Sequence, residues 1–157
     1  MIITAWRITK EKYQDTAFTG KGAEDSGGRW NSQGTRIVYA SSSVSLSILE
    51  ILVNLERNLV FSSYVVIPIR FDDSLLFQLN DDDLPEGWAA LPPPVTSQYV
   101  GDEWVISKSS LILGIPSAVV PIETNYMINP GHPGIDKITI GKPIPLPFDE
   151  RLENLNI

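Results

Sequence analysis

At 157 residues, 43% of them hydrophobic and 20% charged, the chain can bury a core without staples and has the composition of a soluble globular protein. A net charge of -7, with 12 basic residues that never cluster, argues against binding of nucleic-acid backbone by this chain alone. Without cysteine, disulfides, thiolate metal sites and cysteine nucleophiles are excluded, and His132 as the sole histidine disfavours a histidine triad or a multi-histidine metal centre.

In chain order, residues 2–8 alternate loosely around Trp6 and Arg7 and predict a first strand. Residues 9–28 are polar and then glycine-rich, with Phe18 their main apolar anchor, and read as a long loop of the kind that carries function. It ends in Gly27 and Gly28, which let the backbone approach a ligand closely. Arg29 follows at once, with a guanidinium fork that matches phosphate or carboxylate oxygens. A strand over 36–40 carries Tyr39.

Ser41, Ser42 and Ser43 supply N-cap candidates for a helix over 43–57. Its polar residues Ser43, Ser47, Glu50, Asn54 and Arg57 fall at spacings of four, three, four and three, on one narrow stripe. The apolar remainder, Leu49 and Val53 included, predicts a mostly buried helix. The stripe reads either as a solvated face or as a cleft lining that presents Glu50. Arginine, tyrosine and carboxylate, converging from loop, strand and helix, suit an anionic ligand that bears an aromatic ring, such as a nucleotide.

Residues 59–71 predict a strand in which Val65, Ile67, Ile69 and Phe71 alternate and Pro68 marks an unpaired or bulged edge. Arg70 reads as a surface ion pair. Residues 72–104 are the least regular part, and Asp81, Asp82 and Asp83 read as a solvated turn rather than a calcium loop. A short helix is predicted within 96–110. An apolar connection at 114–117 leads to a predicted buried strand at 118–122, then a turn-rich loop around His132 and a last strand at 138–140. A proline-punctuated tail covers 143–157. The fold class expected is α+β, a single domain over 1–157 with a mixed or antiparallel sheet and few helices. No apolar run approaches the roughly 20 residues that span a bilayer. No secretory signal is visible at the N-terminus, so a cytoplasmic setting is expected.

Four ordered pieces resemble the RES domain, the toxin half of bacterial pairs whose antitoxin is an Xre-like helix-turn-helix protein. They are Trp6-Arg7; Gly27-Gly28-Arg29-Trp30-Asn31; Val38-Tyr39-Ala40-Ser41 with a helix carrying Glu50; and Ile115-Pro116-Ser117 with the run from Asn125 to Pro133. The family's arginine, glutamate and serine fall on Arg29, Glu50 and Ser117. The resemblance implies a fold similar to the ADP-ribosyltransferases and the breakdown of NAD+, which is substrate rather than cofactor; with one histidine and no cysteine, no metal is expected. It also implies a higher-order complex with the antitoxin, which would supply DNA contact. Cleaving the nicotinamide–ribose bond develops oxocarbenium character that a fixed carboxylate stabilises. Glu50 is the candidate for this, or for holding ribose hydroxyls. Arg29 would grip the pyrophosphate, with Arg7 second, and Tyr39 reads equally as pocket or core. Gly28, Ser41, Ser117 and Asn125 are expected around NAD+. Hydrolysis, phosphorolysis and ADP-ribose transfer stay open, as does a non-catalytic binding domain.

Overall fold

The structure, a computed structural model, describes residues 1–54 and 60–155. Its strands are β1 (Ile2–Lys10), β2 (Val38–Ser41), β3 (Tyr64–Asp72), β4 (Leu76–Gln78), β5 (Ile112–Pro116), β6 (Thr124–Ile128), β7 (Thr139–Ile140) and β8 (Ile144–Pro145). They form one sheet in the order β4-β5-β6-β2-β1-β3-β7, with β8 also paired to β3. The β4–β5 pair is parallel, and the pairs of β1, β2, β3 and β6 are antiparallel. Three α-helices, α1 (Lys21–Ser26), α2 (Val44–Asn54) and α3 (Val95–Ser107), complete the mixed α+β class that the sequence predicts.

Strand alternation divides the sheet into two faces. Ala5, Val38, Ala40, Ile69, Phe71, Ile112, Tyr126 and Ile128 point to one face and close a core with Leu111 and Ile138. On the other face, Trp6, Tyr64 and Val66 receive α2 through Val44, Ile48 and Leu52. Beside them Leu113, Ile115 and Met127 receive Trp104 of α3 and Trp30. Both long helices thus lie on one side of the sheet, and the candidate site falls between them. Burying that many aliphatic and aromatic side chains, at about 1.5–3 kcal/mol each, fixes the strand register. A slip of one residue would turn each strand inside out.

Several expectations are corrected. The strand predicted at 118–122 is a turn between β5 and β6, in which the Ser117 N–H donates to the Glu123 carbonyl at 2.9 Å. Pro116 and Pro121 lack ladder donors, and the Ser117 hydroxyl takes the Val119 and Val120 N–H groups that a strand would need. Ile122 is consequently 96% exposed. The loop predicted at 9–28 contains a 3-10 helix (Glu11–Thr16) and α1.

Residues 143–157 are less of a tail than their prolines suggest. β8 pairs with β3, Leu146 is buried, and Phe148 stacks on Phe61. Strand β3 is buried continuously over residues 64–67, because helix covers one face and the Ala17 segment the other. Pro68 falls between the stretches of β3 that pair with β7 and β8, the gap its missing N–H requires. Arg70 is exposed and makes no ion pair among the described residues. Leu49 and Val53, predicted buried, are exposed on α2. The last part of the predicted helix, with Arg57, lies outside the described residues.

Candidate functional site

Helix α2 starts where β2 ends, and Ser43 caps it by accepting the Leu46 N–H at 3.0 Å. Ser47 and Glu50 of the polar stripe then turn toward the sheet, while Asn54 is exposed. Ser47 is buried and its hydroxyl donates to the Trp6 carbonyl. One turn on, Glu50 Oε1 accepts from the Ser117 hydroxyl at 2.7 Å and from Asn125 Nδ2 at 2.6 Å. The Ser41 hydroxyl donates to Asn125 Oδ1 at 2.8 Å. Ser41, Glu50, Ser117 and Asn125 therefore form one connected polar group from β2, α2, the β5–β6 turn and β6. Among the described residues Oε2 of Glu50 accepts no hydrogen bond.

Arg29 stands on the loop after α1. Gly27 has φ 67° and ψ 172°, a conformation that belongs to glycine. At Gly28 a Cβ would sit 2.8 Å from Asn31 Oδ1 and 3.1 Å from the Tyr39 hydroxyl, so the loop closes only on glycine there. Asn31 is fully buried. Its Nδ2 donates to the carbonyls of Ala23, Ser32 and Thr35, and its Oδ1 accepts from the Tyr39 hydroxyl at 2.7 Å.

Helix α3 locks the same loop from outside. Ser97 and Gln98 donate to the carbonyls of Arg29 and Gly28, and Asp102 accepts from Ser32. Arg29 Nη1 donates to the carbonyls of Trp88 and Ala90, at 2.8 and 2.7 Å, so the irregular stretch before α3 serves the arginine. Partial burial lowers the Arg29 pKa, and the charges of Glu50 and then Tyr39 oppose that shift. Arg29 and Glu50 thus act within one electrostatic field.

The other expected residues divide. Ser41, Ser117 and Asn125 join Glu50, and Gly28 sits beside Arg29 in the arginine-loop group. Tyr39 is in the same group, but its hydroxyl is engaged by Asn31 and by the Trp30 N–H, its ring packs in the α3 core, and burial raises its pKa. Its contacts are those of a buttress for the arginine loop.

Arg7 follows Trp6 and so points to the opposite face of the sheet from Tyr39 and Ser41. Its Nε and Nη1 donate to the carbonyls of Ala17 and Tyr39 at 2.7 and 2.8 Å, splicing β1 to β2. Desolvation lowers its pKa to about 10. The sequence reading quoted Asn31 without giving it a role and missed Gln98, Asp102 and Gly101. A Cβ on Gly101 would lie 1.6 Å from the Trp30 carbonyl oxygen, and a glycine inside a helical run was the signal available.

A cavity of about 420 Å³ lies beside the polar group, lined by Asp81, Leu84, Glu86, Trp88, Pro116 and Pro121 among others. Pro116 precedes Ser117, and Trp88 offers its carbonyl to Arg29. Neither Glu50 nor Arg29 lines this cavity, so it flanks the site and is separate from the position of the carboxylate. Among the described residues no group of three or more His, Asp or Glu side chains is placed to hold a metal ion.

A sheet that carries a buttressed arginine loop and a pinned helix glutamate on one face matches a known domain. The sequence model of the RES domain matches residues 4–149, and the chain belongs to that family. It is 38% identical over 149 residues to a protein named Toxin Res from Yersinia enterocolitica, covering 94% of this chain and 98% of that one. It is 35% identical over 157 residues to a Prs ADP-ribosylating toxin from Sphingobium sp., covering 97% and 98%. Among solved structures, the crystal structure of the M. tuberculosis MbcT–MbcA toxin–antitoxin complex contains a similar fold. Its TM-score is 0.75 at 16% identity, over 93% of this chain and 85% of that one.

Proposed function

We propose that this chain is the toxin of a toxin–antitoxin pair and that it acts on NAD+ by breaking the bond between nicotinamide and ribose. The observation that carries the reading is the pinned carboxylate: Glu50 is held through Oε1 by Ser117 and Asn125, and among the described residues Oε2 accepts no hydrogen bond. As the bond breaks, its electron pair leaves with nicotinamide and the ribose C1′ takes on cationic character. A fixed carboxylate stabilises that cation without reorganising. Arg29 has Nε and Nη2 left for the pyrophosphate, because its carbonyl contacts use Nη1. The acceptor oxygen or nitrogen then bonds to C1′ and gives up its proton. Water, phosphate and a protein side chain all meet that description.

Transfer to a protein is the reading favoured by the name of the Sphingobium relative. The test is incubation with NAD+ and a readout of free nicotinamide, alongside a biotin-tagged NAD+ that marks any modified protein. Glu50→Ala and Arg29→Lys should each stay folded and lose about 100-fold or more in turnover, the scale of losing a preorganised electrostatic group. Lysine fails because an ammonium does not reproduce bidentate recognition. A soluble Glu50→Ala protein with full turnover would remove Glu50 from the mechanism. No metal enters the proposal, so rates with and without EDTA should agree, and a loss restored by magnesium would contradict it.

The partner proposed is an Xre-like helix-turn-helix antitoxin that covers the site. The neighbouring fold was solved as a toxin–antitoxin complex, and an open site of this kind would be harmful to the cell that makes it.

A further inference from the structure

We infer that Ser41 and Asn125 are positioning residues: Ser41 anchors the Asn125 amide through its oxygen, and the amide fixes Oε1 of Glu50 and leaves Oε2 to the substrate. The inference rests on the role proposed for Glu50 and replaces direct contact with NAD+ as the task of these two side chains. The direction of the chain of bonds is forced by chemistry. A carboxylate only accepts, so the group facing Glu50 Oε1 at 2.6 Å must be the amide nitrogen of Asn125. The amide oxygen therefore faces Ser41, and the Ser41 hydroxyl at 2.8 Å must donate. A flipped amide would set oxygen against the Glu50 oxygen. Glu50 decides which way the amide faces, because a hydroxyl can donate or accept, and Ser41 holds the amide in that orientation by binding its oxygen.

The backbone supports the same assignment. Ser41 and Asn125 are direct cross-strand partners on β2 and β6, so their side chains share a face at a fixed register. Ser41 is 5% exposed and so presents little surface to a ligand. Ser117 completes the clamp from the other side. It is 0% exposed, accepts from the Val119 and Val120 N–H groups, and gives its one proton to Glu50, so its hydrogen-bonding capacity is filled.

Two measurements on the full chain test this. In 15N-labelled protein the Asn125 side-chain NH2 should exchange slowly with solvent. It should exchange about tenfold faster in Ser41→Ala and return to slow exchange in Ser41→Thr. In NAD+ turnover, Ser41→Ala should lower kcat about tenfold with KM unchanged, the scale at which partners behind a functional group act, and Ser41→Thr should restore it. Should the alanine variant fail to fold, Ser41→Cys, with a weaker donor of similar size, should give the same order at smaller amplitude. A raised KM at unchanged kcat would mean that Ser41 touches substrate, and an Asn125 amide indifferent to Ser41→Ala would remove the anchoring role. Either result overturns the inference. If the wild-type chain neither releases nicotinamide nor modifies protein, the proposed activity fails while amide exchange still decides the positioning role.

Discussion

Arg7 and Arg29 carry the same side chain in two opposed settings. Arg29 is partly exposed, and among the described residues only its Nη1 is bonded, which leaves Nε and Nη2 for the proposed substrate. Arg7, on β1, is bonded to the backbone carbonyls of Ala17 and Tyr39 on the far face of the sheet. With a pKa lowered only to about 10, Arg7 stays charged at neutral pH and its worth is structural. Arg7→Ala should therefore leave the Ala17 and Tyr39 carbonyls without their donor and destabilise the fold by about 1–3 kcal/mol, with KM for NAD+ unchanged in the folded fraction. Urea unfolding together with turnover kinetics checks this. A KM raised tenfold at native stability would return Arg7 to the substrate site.

At the scale of elements, α3 acts as a brace. Its first turns hold the Gly28 and Arg29 carbonyls, and its packing distance is set by a missing side chain at Gly101. Gly101→Ala cannot be accommodated without moving α3 off the loop, because the Trp30 carbonyl occupies the space. It should cost about 2 kcal/mol or more, a fall in Tm of about 4–8 °C at this chain length, and it should lower NAD+ turnover by moving Arg29. Gly22→Ala in α1, where an added Cβ meets nothing within 4 Å, should be neutral or stabilising by up to about 1 kcal/mol. Paired calorimetry and nicotinamide release separate the two. Equal Tm values for the two variants would deny α3 its bracing role.

For the whole molecule, a net charge of -7 without a basic cluster sets the division of labour within the proposed complex. The isolated chain should show no measurable affinity for operator DNA at physiological salt, and the complex with its helix-turn-helix partner should bind with strong salt dependence. Electrophoretic mobility shift over a salt series is the measurement. Operator binding by the chain alone would reverse this assignment. No helix among the described residues is long and apolar enough to cross a membrane.

The sequence by itself determined the mixed α+β class, the positions of β1, β2, β3 and β7 and the candidate residues Arg29 and Glu50, because these depend on local pattern, and the resemblance to the RES domain added Ser117. Alternation marks strands, a polar stripe at helical spacing marks a face, and paired glycines mark a strained loop. Only the tertiary structure decided what each polar side chain faces. It turned the Ser47–Glu50 stripe inward, set Arg7 on the far face of the sheet, and closed Asn125 onto Glu50 across 75 residues. It also gave the carbonyls of the irregular segment at Trp88 and Ala90 to Arg29. The physical reason is range. Strand and helix periodicity is a property of neighbouring residues, whereas the partner of a buried donor or acceptor is whatever distant group the packed core carries within about 3 Å.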